Sequence, residues 1–150
     1  MQDCEYCSNV KFVLTNPQAV IPKKEILSDI GYDLTCISVN KVISKNITRY
    51  DTGIAVSPPP GYYMEVVPRS SLSQKGYMLA NSIGVIDPSY TGNLLITLIK
   101  VDESLPDLKL PFIVCQLIMR PALYFNLKQV EELKTTKRGD GGFGSTDIKK

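Results

Sequence analysis

Residues 68–95, PRSSLSQKGYMLANSIGVIDPSYTGNLL, gather groups able to do chemistry and set them among turn-forming residues. Arg69, Ser70 and Ser71 supply a cation and two hydroxyls in succession, Asn81 supplies an amide, and Asp87 and Tyr90 lie beyond it. Gly84, Pro88 and Gly92 surround Asp87, and such residues punctuate a chain, so the sequence predicts Asp87 in a tight, strand-flanked bend. A carboxylate fixed in a bend can orient a water or a sugar hydroxyl. The same pattern also describes an ordinary surface hairpin, because aspartate is common in turns for purely local reasons.

A second group lies near the C-terminal end. Gly139, Gly141, Gly142 and Gly144 surround Phe143, with Arg138 before it and Ser145 and Thr146 after it. Glycines let backbone N–H groups approach oxygens closely, an arrangement that suits phosphate. An aromatic ring stacks on a nucleobase for about 1–3 kcal/mol, and arginine grips phosphate as a two-pronged fork. Ring, cation and donors together fit one nucleoside polyphosphate; a glycine-rich linker is the other reading of the same residues. The phosphate loop G-x-x-x-x-G-K-[ST] is excluded. Gly139, Gly144 and Thr146 match its spacing, but Ser145 stands where the lysine must be.

These groups need a scaffold. At 150 residues and 43% hydrophobic, the chain fits one domain with a real core. Eight tyrosines, ten glycines and ten prolines lean toward β structure with many turns. Strand-like pieces fall at 10–14, 35–39, 41–44, 48–56, 62–67, 94–101 and 113–119, with an SPPPG turn at 57–61 and one helical turn at 71–75. That spacing predicts an all-β subunit, a barrel or a double-sheet jelly roll, with at most one short helix. The runs LLITLIKV and IVCQLIM are apolar enough to predict strands covered on both faces, with another subunit as the second layer. From Glu131 the composition turns basic and then glycine-rich and cannot pack a core. The chain therefore divides into a domain at 1–130 and a flexible arm at 131–150 that orders on binding.

Composition excludes several partners. A net charge of +2 is too small to argue for nucleic acid. No apolar run approaches the length needed to span a membrane, and the start MQDCEYC has neither a basic region nor an apolar core. The expectation is a cytoplasmic protein, with the nucleus also compatible. Cys4 and Cys7 form a lone CxxC, half of a zinc site in a chain without histidine or a second cysteine pair; a redox CxxC belongs near a βαβ pattern that is not found here. Cys36 and Cys115 lie in apolar runs and read as buried thiols.

At the level of motifs the chain resembles the homotrimeric dUTP pyrophosphatases, with five motifs in order from Gly31 to Thr146. They read Gly31-Tyr32-Asp33-Leu34; Pro68-Arg69-Ser70-Ser71-Leu72; Asn81 with Gly84-Val85-Ile86-Asp87, Tyr90, Gly92 and Leu94; Cys115-Gln116-Leu117-Ile118; and Arg138-Gly139-Asp140-Gly141-Gly142-Phe143-Gly144-Ser145-Thr146. The resemblance implies a jelly-roll trimer with active sites shared between chains, hydrolysis of dUTP to dUMP and pyrophosphate, and Mg²⁺ gathering the three phosphates. It implies that Asp87 activates the water attacking the α-phosphorus and holds the 3′-hydroxyl, while Tyr90 packs beneath the sugar and excludes ribose. Asn81, with Gly84 and the backbone of Val85, Ile86 and Leu95, would read uracil, and Asp33 would hold Mg²⁺ through water. Arg69, Ser70, Ser71 and Gln116 would hold the α- and β-phosphates. The arm would close from a neighbouring subunit, stacking Phe143 on the base while Arg138, Gly144, Ser145 and Thr146 take the terminal phosphate.

Departures from the family pattern are few. Pro111-Phe112-Ile113 replaces the usual Gly-x-Arg, mainly an intersubunit contact in the family, which puts the packing of the trimer axis in question; Ile30 replaces an alanine and Asp147 a glycine. Two other functions compete. A dCTP deaminase on the same fold needs a proton-shuttling glutamate near the pyrimidine, which this hairpin lacks. A catalytically silent trimeric nucleotide-binding or protein-interaction module would not need the whole inferred site, which is present.

Overall fold

Ten strands and one helical turn form residues 9–142, the part of the chain that this computed structural model describes. The strands are β1 Lys11–Leu14, β2 Tyr32–Cys36, β3 Ser38–Ser44, β4 Ile47–Asp51, β5 Ile54–Ser57, β6 Tyr62–Pro68, β7 Tyr77–Leu79, β8 Gly84–Ile86, β9 Leu95–Lys100 and β10 Phe112–Pro121, with α1 Ser71–Gln74 between β6 and β7. They pair as two four-stranded antiparallel sheets, β2-β10-β6-β8 and β3-β4-β9-β7, and a two-stranded pair, β1-β5. Neighbours in each sheet are mostly distant in sequence, so the chain crosses repeatedly between layers, as a jelly-roll-like fold requires. Leu34, Val66, Ile96, Leu98 and Val114 come from both four-stranded sheets and, with Leu94 just before β9, are almost wholly buried in one cluster. Each contributes about 1.5–3 kcal/mol by leaving water.

Two segments expected as single strands are broken. Residues 48–56 divide into β4 and β5 because Gly53 adopts a left-handed φ of +66° and donates its N–H to the Asp51 carboxylate at 2.7 Å. The sharp bend sends β5 to β1 and leaves β4 with β9. Residues 35–39 likewise end β2 at Cys36 and start β3 at Ser38, in the other four-stranded sheet. β7 and β8 had not been expected; at three residues each they are too short to leave an alternating pattern. Nor is β9 covered on both faces by its own chain. Ile96 and Leu98 are buried, whereas Leu95, Thr97 and Ile99 remain partly open.

A bulge in β10 has the largest consequence for the site. The register against β2 slips between Ile113 and Cys115, so Val114 and Cys115 are both buried and the in–out alternation reverses. Phe112 and Val114 point inward before the slip; beyond it Gln116 stands opposite Asp33 and Val67, on the outer face. The Pro111-Phe112-Ile113 departure splits between the same two faces. Phe112 packs edge-on to Tyr50, ring centroids 4.9 Å apart at 81°, while Ile113 on the other face is 39% exposed. Beyond β10, residues 122–142 form no strand or helix, and Leu123, Tyr124, Phe125 and Leu127 lie open rather than on their own subunit.

Candidate functional site

Three predicted site residues meet on the outer face of the β2-β10-β6-β8 sheet. Asp33 is the second residue of β2 and Gln116 its register partner on β10; Arg69 follows β6, its N–H donating to the Val114 carbonyl at 2.8 Å. The Arg69 guanidinium donates from Nη1 to Asp33 Oδ2 in a partly exposed ion pair. Gly31, Asp33, Arg69 and Gln116 line one cavity of about 360 Å³, together with Val67, Ile118, Glu25 and Asp29. Gly31 makes this packing possible. A Cβ built there would lie 1.9 Å from Gln116 Oε1, so only glycine lets the amide occupy its place. Gln116 Nε2 reaches the Pro68 carbonyl at 3.4 Å, tying the fourth motif to the second.

The second motif turns directly into α1. Leu72, 2% exposed, anchors that turn, and its N–H donates to the Arg69 carbonyl at 3.0 Å. Ser70 sits at the N-cap without making a side-chain cap hydrogen bond, so its hydroxyl is available to a ligand. Ser71 is the first residue of α1, and Ser70 and Arg69 also border a second cavity of about 370 Å³ with Tyr77, Met78 and Ser82.

The third motif crosses from one sheet to the other. Asn81 enters the crossing, and its Nδ2 lies close beside Gly84. Val85 and Ile86 belong to β8, with Val85 exposed and Ile86 packed on the core. Asp87 follows β8 and opens a turn closed by the Tyr90 N–H on the Asp87 carbonyl at 2.9 Å; Leu95 begins β9. The expected strand-flanked bend is present, and Asp87 in it is exposed. The base of the crossing is fixed firmly. Leu94 is fully buried, its carbonyl accepts the Thr52 hydroxyl at 2.9 Å, and its N–H donates to the Ile54 carbonyl at 2.7 Å.

One chain does not bring all the predicted residues together. Neither cavity is lined by Asp87, Tyr90, Asn81, Val85 or Leu95. Arg138 lies in an exposed turn, its Nε donating to the Gly141 carbonyl at 2.9 Å. Phe143, Gly144, Ser145 and Thr146, like Cys4 and Cys7, lie outside the described residues. Glu25 and Asp29 on the cavity wall, and Asn93 at the base of the crossing, had carried no signal in a sequence where loops show no periodicity.

The donor set bears on a metal. Among the described residues no group of three or more His, Cys, Asp or Glu could hold one. Mg²⁺ keeps several waters and takes one or two carboxylates plus substrate phosphates. Asp33, a carboxylate beside Arg69 on the wall of the cavity of about 360 Å³, fits that habit in donor type.

Other ionisable groups are structural. Glu65 lies on the outer face near the cavity yet only 7% exposed, accepting from Tyr63 Oη at 2.7 Å and Arg120 Nε at 3.1 Å. The tyrosine bond first, then the arginine, hold its carboxyl below the usual glutamate range against the opposing effect of burial. Burial pushes the Cys115 thiol up to about 12 and the Cys36 thiol higher still, so both remain protonated and inert at neutral pH.

Comparison with known proteins follows the same outline. The family described as dUTPase matches residues 16–147. The deoxyuridine 5′-triphosphate nucleotidohydrolase of Escherichia phage T5 is 35% identical over 148 residues, covering 93% of this chain and 99% of its own. That of Clostridium kluyveri is 37% identical over 134 residues, covering 87% and 92%. Among solved structures, a variant dUTPase of Staphylococcus bacteriophage 80alpha with dUpNHpp superposes with a TM-score of 0.76 at 25% identity, covering 93% of this chain and 99% of that one.

Proposed function

This chain belongs to the dUTPase family, and from that premise we propose how its own residues carry the reaction. It is a hydrolase acting on dUTP, which it cleaves to dUMP and pyrophosphate. The reaction supplies dUMP, a thymidylate precursor, and by consuming dUTP keeps uracil out of DNA. Arg69, Ser70, Ser71 and Gln116 bind the α- and β-phosphates with a guanidinium, two hydroxyls and an amide, all donors suited to negative charge. Asp87 accepts the proton of the water that attacks the α-phosphorus, and pyrophosphate leaves. Asn81 and the backbone of Gly84, Val85, Ile86 and Leu95 read the uracil edge, and Tyr90 packs beneath the deoxyribose. Enzymes of the family generally use a divalent metal. Mg²⁺, held by Asp33 through water, would neutralise and gather the phosphates.

Trimeric assembly is typical of the family. We read the active site as shared between chains. The observation that carries this reading is that Asp33, Arg69 and Gln116 converge on one cavity while the bend bearing Asp87 lies off it on the same chain. Exposed apolar side chains such as Phe12, Val13, Leu123 and Phe125 supply surface for contacts between copies. On this reading residues 131–150 act as a lid on a neighbour's site, with Arg138, Phe143, Gly144, Ser145 and Thr146 completing it and excluding water. We propose a cytoplasmic location, with the nucleus also compatible; no helix of the described residues is long and apolar enough to cross a membrane.

The test is pyrophosphate release from dUTP beside dTTP, dCTP and UTP. Asp87→Asn is expected to bind dUTP within a few-fold of wild type and to lower turnover by about 10²–10⁴. Wild-type turnover in that variant places the base elsewhere, and ammonia release from dCTP replaces hydrolysis with deamination.

A further inference from the structure

Tyr90 is held from two sides. A Cβ on Gly92 would lie 2.5 Å from Tyr90 Oη and 2.7 Å from its Cζ, so the ring folds back across the bare glycine. The phenol donates to the Asn93 carbonyl at 2.8 Å. The orientation of the ring is therefore set by where the backbone of Gly92 and Asn93 runs.

The Asn93 side chain fixes that backbone. Its Nδ2 donates to both oxygens of Asp51 at 3.0 Å, and its Oδ1 accepts the Thr15 hydroxyl at 2.7 Å. Asp51 ends β4 and holds the Gly53 turn through its N–H; Thr15, just beyond β1, donates its own N–H to the Gly53 carbonyl at 2.8 Å. One amide thus joins the third motif to the ends of strands from two different sheets. None of these partners belongs to the cavity around Asp33.

We propose that Asn93 is a positioning residue for sugar discrimination, fixing through Asp51 and Thr15 the backbone against which the Tyr90 ring is set. The inference rests on the reading of Tyr90 as the residue beneath the deoxyribose. Asn93 touches no substrate atom. It acts by denying the ring the latitude that would open space for a 2′-hydroxyl.

The chemistry of the amide makes the idea sharp. Asparagine places a donor against the carboxylate of Asp51 and an acceptor against a hydroxyl. Asn93→Asp has the same shape but sets carboxylate against carboxylate, which repels. Exchanging the pair, Asn93→Asp with Asp51→Asn, restores a donor facing an acceptor.

The measurement is the ratio of kcat/KM for dUTP to that for UTP, with melting temperature recorded for each variant. Asn93→Ala and Asn93→Asp are expected to lower the ratio about tenfold, through a gain on UTP as well as a higher KM for dUTP. Tyr90→Phe, which keeps the ring and loses only its bond to Asn93, is expected to move the ratio in the same direction. The exchanged pair should recover most of it, a rescue that loss of general stability would not produce. Should Asn93→Ala fail to fold, Tyr90→Phe and the exchanged pair still decide the matter. If Tyr90→Ala lowers the ratio while Tyr90→Phe and the folded Asn93 variants hold the wild-type value, the positioning role is wrong and the sugar-packing reading stands. If Tyr90→Ala itself leaves the ratio unchanged, the sugar-packing reading fails and takes this inference with it.

Discussion

Gly31→Ala probes the place where the first and fourth motifs interlock. The added Cβ would sit 1.9 Å from Gln116 Oε1, 2.6 Å from Cδ and 2.9 Å from Cγ, all well inside contact distance. The amide must swing away by about 1–2 Å, because carbon contacts relax only near 3.5–4 Å. That movement is easy for stability. Gln116 is the end of a flexible, partly exposed side chain whose recorded hydrogen bond, to Pro68, is long at 3.4 Å. The expected loss is below about 1 kcal/mol, less than overpacking a rigid core. On the proposed role of Gln116 at the phosphates, turnover should respond more strongly, because misplacing a substrate-binding group by about 1 Å can lower the rate by up to about 10²-fold. Steady-state pyrophosphate release from Gly31→Ala, Gln116→Ala and the double variant supplies a thermodynamic cycle. If both substitutions act by removing the same amide, the double variant is no slower than Gln116→Ala. Wild-type turnover in Gly31→Ala, or losses that multiply in the double variant, would refute the reasoning.

Removing the chain from Arg138 onward should leave a folded protein with severely reduced dUTP turnover; full activity after truncation would end the lid reading. Glu65 has its carboxyl held low by Tyr63 and Arg120, so it contributes stability above the ordinary glutamate range and loses it as pH falls through the lowered folded value. Urea midpoints measured from about pH 5 to pH 3 should accordingly fall more steeply for wild type than for Glu65→Gln, and parallel curves would show that the network does no such work. In a Cys4→Ser/Cys7→Ser protein, native Cys36 and Cys115 should resist thiol reagents at pH 8 and both react in denaturant. Rapid labelling of the native form would contradict their burial.

Much of this protein was settled by its residues in order. Repeated Pro and Gly punctuation between β-branched runs is a local property, and it dictated an all-β subunit with one helical turn at 71–75, observed as α1 Ser71–Gln74. The chemical types in the five motifs are equally local, and the family they resemble implies the reaction class without coordinates. The break at Gly53 is local as well: Asp51-Thr52-Gly53 is a turn signal inside a strand-like run, and the left-handed bend has the Gly53 N–H on the Asp51 carboxylate two residues back.

What the tertiary structure decided is contact between distant residues. Asp33 and Arg69 are 36 residues apart and form an ion pair only because β2 and β6 flank β10. Simple alternation from Phe112 would bury Gln116; the bulge after Ile113 reverses the phase and delivers the amide to the cavity. No residue type encodes that slip, since it depends on how β10 meets β2. The separation of the Asp87 bend from the cavity around Asp33, and the amide of Asn93 bridging Thr15 and Asp51, are of the same kind. Side-chain chemistry is carried by each residue alone, whereas register and close approach exist only once the partner strand is in place.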